Sequence, residues 1–246
     1  MITKTQNYKP VKNLLSKGST NSKTAKNSLE TFILYLAPER QNSKGVNLCP
    51  KASKGCAAAC LYTAGRGKFS NVKKSRINKS EYYISDKKTF INQLSKEIVK
   101  IAAKAIKQNK KIAIRLNGTS DQDFISIIKK YNNLDLLNGD QFKNLVFYDY
   151  TAILGKIKKY IDTSYSLTLS RKEDNENEII EALKLGGNIA AVFRDELPTT
   201  YKGFTVVNGD TSDLEMIYNK NVILGLKAKG DAKKDKSGFV IDVNLN

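Results

Sequence analysis

Histidine is missing from this 246-residue chain, and so is tryptophan; cysteine occurs three times and proline four. Without imidazole, any proton transfer must use Asp, Glu, Lys, Tyr or Cys. The same absence bears on metals. A structural zinc site takes four ligands, normally Cys and His, and three cysteines cannot complete it. An open zinc site with three Cys ligands remains, although catalytic zinc usually carries at least one His. A disulfide between two of the cysteines would strand the third. No apolar run is long enough to span a membrane, and Met1-Ile2-Thr3-Lys4 does not open a signal peptide. The expectation is a chain with no membrane partner, in an intracellular, reducing setting that suits free thiolates. Also absent are a phosphate-binding glycine loop, a dinucleotide fingerprint and a serine nucleophile elbow.

What is present gains meaning from those gaps. Cys49, Cys56 and Cys60 fall within twelve residues. Three thiolates in a short loop suit a cubane 4Fe–4S cluster, in which they hold three irons and leave the fourth to another ligand or a substrate. The alternative is three reduced core thiols, because free cysteine buries readily. The setting of Cys49-Pro50-Lys51-Ala52-Ser53-Lys54-Gly55-Cys56, rich in Gly, Pro and Lys, argues against simple hydrophobic burial and favours the cluster.

Charge is uneven. The chain carries a formal +18, yet residues 1–118 hold 25 Lys+Arg against 5 Asp+Glu, and residues 119–246 hold 17 against 19. The half with the cysteines is the basic half. That asymmetry points to an anionic partner near the cluster, either nucleic acid or a phosphorylated small molecule. Coding bias towards Lys, Asn and Ile would raise the lysine count everywhere, but it does not account for the shortage of acids before residue 119.

Residues 1–28, rich in Lys, Ser, Thr and Asn, read as a flexible or loosely docked basic arm. Residues 29–246 read as a single α/β domain that holds the cluster. Thr31 to Ala37 is a compact apolar run, hence a buried strand. Cys56 and Cys60, four apart in an alanine-rich stretch, fall on one face of a helix. Asp86 caps a long amphipathic helix whose apolar face includes Phe90, Ile91, Leu94, Ile98, Ile101 and Ala105. Further strands are Ile112–Leu116, Leu145–Tyr150, Tyr165–Ser170, Ile189–Phe193, Phe204–Val207 and Val222–Leu226. Helical patterns intervene around Phe124, from Ile153 to Ile161, from Glu176 to Leu185 (stopped by Gly186-Gly187), and from Ser212 to Tyr218. Alternating β and α segments predict a mostly parallel sheet, open or closed as a partial barrel.

In such sheets ligands bind at the carboxyl ends of the strands. The cysteine loop follows the first strand and lands there. Asn117-Gly118-Thr119-Ser120-Asp121 follows the second, Asp149-Tyr150-Thr151 the third and Ser170-Arg171-Lys172 the fourth. Lys227-Ala228-Lys229-Gly230 follows the last. Ser120 or Asp121 suits capping of the next helix as well as a ligand role. Lys227 and Lys229 suit solvent as well as a ligand, with Gly225 and Gly230 marking a close backbone approach.

With these residues in view, the layout resembles the radical S-adenosylmethionine (SAM) superfamily, whose first βα loop holds three cysteines on a 4Fe–4S cluster in a partial (β/α) barrel. More closely, the run from Cys49 through Cys60-Leu61-Tyr62 with Gly65-Arg66, then Arg115-Leu116-Asn117-Gly118-Thr119-Ser120-Asp121, and Gly225-Leu226-Lys227-Ala228-Lys229-Gly230 resemble a family of bacteriophage-encoded iron–sulfur proteins. The resemblance covers about residue 30 onwards. It implies Cys49, Cys56 and Cys60 as metal ligands, and Arg115, Asn117, Ser120, Asp121, Lys227 and Lys229 as residues around the cofactor. It also implies the cytoplasm of an infected bacterial host. Two features depart from the radical-SAM pattern. The cysteines are spaced six then three residues apart rather than three then two, and Asn117-Gly118-Thr119 stands where a Gly-Gly-Glu type motif would hold the SAM amino group. Three functions stay open: a SAM-using enzyme acting on a small-molecule substrate, a non-SAM protein for electron transfer or sensing that meets an electron donor, and a nucleic-acid-binding protein with a structural cluster.

Overall fold

A computed structural model of the chain describes residues 8–20, 28–60, 62 and 64–243. Among these residues ten strands form one mixed sheet: β1 (Leu15–Lys17), β2 (Glu30–Leu34), β3 (Ile112–Arg115), β4 (Leu145–Thr151), β5 (Tyr165–Ser170), β6 (Asn188–Phe193), β7 (Thr200–Tyr201), β8 (Phe204–Asn208), β9 (Ile223–Lys227) and β10 (Val240–Ile241). The order across the sheet is β1-β2-β3-β4-β5-β6-β9-β8-β7. β2 to β6, β9 and β8 pair in parallel, whereas β1 and β7 are antiparallel edge strands. β10 runs parallel to β6 at Val192 and Phe193, beyond the point where β5 stops pairing at Ala190.

The alternation of strands and helices made the parallel sheet legible, but the sheet does not close. Among the described residues no strand joins the β1 edge to the β7 edge. Each edge ends in a short antiparallel strand, and β7 turns into β8 through Lys202 and Gly203, both at positive φ. That backbone is what a two-residue hairpin turn of this hand requires, and it leaves no parallel edge to complete a barrel.

The helices are α1 (Lys54–Ala58), α2 (Ser70–Ser85), α3 (Lys87–Lys107), α4 (Phe124–Asn132), α5 (Leu154–Tyr160), α6 (Glu176–Lys184) and α7 (Glu215–Tyr218). Right-handed crossovers between neighbouring parallel strands keep successive helices on one face. Leu94, Ile98, Phe124 and Ile128 accordingly pack with Ile112, Ile114 and Phe147, while Ile179 and Leu183 pack with Leu169, Ile189 and Ile223. The path reverses after β8, because β9 inserts between β6 and β8. Leu214 and Met216 therefore meet the opposite face, against Ala113, Tyr148 and Leu224. Asp86 caps α3 as its position suggests, its side chain accepting from the Thr89 N–H. Gly186 at φ +83° ends α6.

Part of the expected basic arm is docked. Residues 1–7 and 21–27 lie outside the described residues, but Tyr8 stacks on Tyr82 with ring centroids 4.5 Å apart. The Leu14 and Leu15 N–H groups donate to the Glu97 carboxylate at 2.8 and 2.9 Å. Lys79 donates to the Leu14 carbonyl at 2.6 Å. Burial draws the Lys79 ammonium down to about 8, against the opposing pull of Glu97. An unfolded lysine holds its proton to about 10.4. Between those values the unfolded chain binds more protons, so this residue's penalty on the folded state is relieved as pH rises from about 8 towards 10. Urea unfolding at about pH 7.5 and about pH 9.5 should show that gain in the native chain and a smaller one in Lys79→Met. Equal pH dependence in the two proteins would remove Lys79 as its source.

Candidate functional site

The cysteine loop leaves β2 and is held by three neighbours at the carboxyl ends of the strands. The Thr119 hydroxyl donates to the Leu36 carbonyl at 2.5 Å, the Gln122 amide to the Leu48 carbonyl at 3.1 Å, and the Asp121 N–H to the same carbonyl at 2.8 Å. Cys49 then points its thiol at the Thr119 carbonyl, 3.7 Å away. Ser53 caps α1, accepting from the Cys56 N–H at 3.1 Å. Glu173, just past β5, fastens that cap from outside: it accepts from the Ser53 hydroxyl at 2.7 Å and from the Gly55 N–H at 2.8 Å.

Two glycines allow these contacts. A Cβ on Gly55 would lie 2.2 Å from Ser237 Oγ and 2.8 Å from Phe239 Cβ. A Cβ on Gly118 would lie 2.5 Å from the Tyr35 ring. The helix itself is shorter than expected. It ends at Ala58, so Cys56 is helical and Cys60 lies past the end rather than on the same helical face. A helix of five residues is little more than its own nucleus, so the cap at Ser53 and not the alanine run holds it.

The three thiols nevertheless share one electrostatic neighbourhood. Burial pushes Cys49 up to about 11, and Cys60 adds to the rise. Burial pushes Cys56 up to about 12, with Cys60 and Cys49 adding to it. Cys60 is raised by burial too, opposed by the Tyr62 backbone and by Arg76. All three are protonated thiols at neutral pH, and any metal they bind must displace those protons. Among the described residues no group of three or more His, Cys, Asp or Glu side chains is placed to hold a metal ion. A cubane makes a different demand, since each thiolate takes its own iron.

The polar residues at the strand ends divide. Asn117 is buried and fully engaged: its N–H and amide face Asp149, its amide also donates to the Gln122 carbonyl, and its oxygen accepts from Ser120 Oγ and the Gln122 N–H. Ser120 thus serves Asn117, and the cap of α4 is Asp123, which accepts from the Ser126 N–H at 3.2 Å. Asp121 is buried against Lys156, 2.6 Å away, and accepts from Thr151 and the Ala152 N–H. Arg115 lies between Asp149 at 3.7 Å and Asp213 at 3.4 Å, over the Tyr150 ring. These four residues tie the loop after β3 to β4 and its neighbours, and that loop reaches the cysteine loop through the Asp121 N–H and the Gln122 amide at the Leu48 carbonyl. Lys227 and Lys229 are exposed, and Lys229 pairs with Asp210 at 2.6 Å. Their segment does reach the cysteines, because Ala228 packs with Ala59, Phe239 and Cys56.

Sequence patterning did not mark Arg76, Tyr35 or Glu173. Arg76 sits on α2, whose buried residues include Lys79, Ser80 and Glu81, so no apolar stripe announces the helix. Its guanidinium lies 4.6 Å from the Tyr35 ring centroid and 5.7 Å from that of Tyr62. Glu173 carries no local signal either, since its partners are more than a hundred residues away. Close to the cysteines along the chain, Lys51, Lys54, Lys68 and Lys74 are exposed.

No helix among the described residues is long and apolar enough to cross a membrane. A family model described as gene product 88, a phage-type gene product family, matches residues 4–243. No curated protein and no solved structure matches the chain.

Proposed function

We propose that this chain, which belongs to the gene product 88 family, binds one 4Fe–4S cluster through Cys49, Cys56 and Cys60. One observation carries the reading. All the thiols of a chain without histidine lie in one electrostatic neighbourhood at the carboxyl ends of its strands. The donor set suits a cubane: three soft thiols for three irons, and no further Cys or His for the fourth. When bound, such a cluster supplies one-electron chemistry and an iron open to an exchangeable ligand. The chain's own residues order the thiols: Thr119 orients Cys49, Ser53 and Glu173 fix the turn before Cys56, and Arg76 places positive charge beside Cys60. The radical-SAM-like partial barrel is part of this proposal. Its support is the winding of β2 to β6 in sequence order with helices on one face. The proposed setting is the cytoplasm of an infected bacterial host.

An open iron suits two uses. In the first the protein is an enzyme that binds SAM at that iron and acts on a small-molecule substrate. SAM added to the reduced protein then changes its electron paramagnetic resonance spectrum and is slowly consumed. The second use is electron transfer or ligand sensing without SAM. It is favoured by Asn117, Ser120 and Asp121, whose side chains are already occupied in bracing the loops. A spectrum indifferent to SAM and altered by cyanide selects the second use and rejects the first.

The basic first half of the chain, with exposed lysines near the cysteines, leads to a separate expectation. The protein should bind nucleic acid weakly and without sequence preference, and affinity should fall steeply between low and physiological salt as counterion release loses its drive. Filter binding to unrelated duplexes across a salt series measures this. Absence of binding at low salt would leave the lysines as solvated charge.

A further inference from the structure

Two aromatic faces hold the Arg76 cation in place, but a ring face accepts none of its directed N–H bonds in the plane of the guanidinium. Its Nε–H and one Nη–H are buried without an acceptor. Among the described residues no carboxylate forms an ion pair with it. A guanidinium so placed lacks an anion, since buried charge is normally paired. Both aromatic anchors lead to the thiols. Tyr35 packs on Gly118, next to the Thr119 carbonyl that faces Cys49. Tyr62 follows Cys60 by two residues, and the Arg76 charge is felt at Cys60.

Three thiolates outweigh the positive charge of an oxidised cubane core, and reduction adds one more negative charge. The geometry points to Arg76 as the charge partner and hydrogen-bond donor of the cluster, a positioning residue that stabilises its reduced form and thereby sets its potential. This rests on the cluster reading above. It adds a residue that no ligand motif contains, and it explains why a guanidinium with buried nitrogens and, among the described residues, no carboxylate partner stands beside Cys60. Lys73, whose ammonium lies 5.2 Å from the centroid of the other anchor, Tyr62, has no such role.

The test is an anaerobic redox titration, followed by electron paramagnetic resonance, of native protein, Arg76→Gln, Arg76→Lys and Lys73→Gln, each with iron content measured. The midpoint potential should shift to more negative values in Arg76→Gln, less far in Arg76→Lys, and not at all in Lys73→Gln. Arg76→Lys keeps the charge but loses the rigid fork of donors. If Arg76→Gln does not retain iron, Arg76→Lys decides alone: a negative shift supports the assignment and an unchanged potential overturns it. Unchanged potentials in fully loaded Arg76 variants overturn this inference while leaving the cluster reading intact. Native protein that binds no iron overturns both.

Discussion

Anaerobically prepared or reconstituted protein should be brown and carry about four irons and about four sulfides per chain, the stoichiometry of one cubane. Each of Cys49→Ala, Cys56→Ala and Cys60→Ala should lose most of that content, because each thiolate serves a different iron. The loss should be comparable at all three positions, although their surroundings differ. Cys49 faces a carbonyl, Cys56 lies in α1, and Cys60 lies beyond its end. Iron and sulfide analysis with visible absorbance measures the effect. Colourless protein containing zinc would sink the assignment, and so would a chain in which only one cysteine mattered. Acid should also promote loss, since protons compete with metal for thiols that burial has made basic.

Asp121→Ala should be among the most destabilising single substitutions in the molecule. Asp121 and Lys156 form an ion pair at 2.6 Å with side chains only 7% and 10% exposed. Removing the carboxylate strands a buried ammonium and also frees the Thr151 hydroxyl and the Ala152 N–H. Breaking such a pair from one side costs about 3–5 kcal/mol. In a chain of this size that corresponds to a fall in Tm of roughly 6–20 °C. Asp121→Ala combined with Lys156→Met should recover much of the loss, because no charge is then left unpaired. If Asp121 were instead a ligand of the cofactor, the single variant would keep its Tm and change the cluster spectrum. Thermal denaturation of the single and double variants separates the two roles.

The sequence was legible where chemistry repeats at a fixed period. The apolar runs gave β3 to β6, β8 and β9 to within a residue, β2 except that it stops at Leu34 instead of Ala37, and Asp86 announced α3 by its position before an apolar stripe. It was mute where order comes from distant partners. α2 buries Lys79, Ser80 and Glu81, each held by a residue far along the chain, so it shows no helical stripe. β7 and β10 are two residues long and exist only by pairing with β8 and β6. The site followed the same rule. Cys49, Cys56 and Cys60 stood out because nothing else in the chain resembles them. Arg76 and Glu173 did not, being one of many cations in a basic half and one acid in a polar turn. The polar strand-end residues stand where the strand pattern put them, but their hydrogen bonds and ion pairs with one another and with neighbouring strands left no mark in the sequence.

Gly55 sets the time at which the site comes into being. Its missing side chain lets α1 lie against Ser237 and Phe239, and its N–H is held by Glu173, 118 positions along the chain. Those partners are synthesised long after the cysteines. While the chain is still on the ribosome, the cysteine loop has neither its cap from the β5 side nor its floor from Ser237 and Phe239. Non-local closure of this kind comes late in folding. On the proposed cluster reading, loading with metal belongs to the chain folded through Phe239, because a chain that stops before residue 235 carries every cysteine yet lacks the wall against which α1 lies.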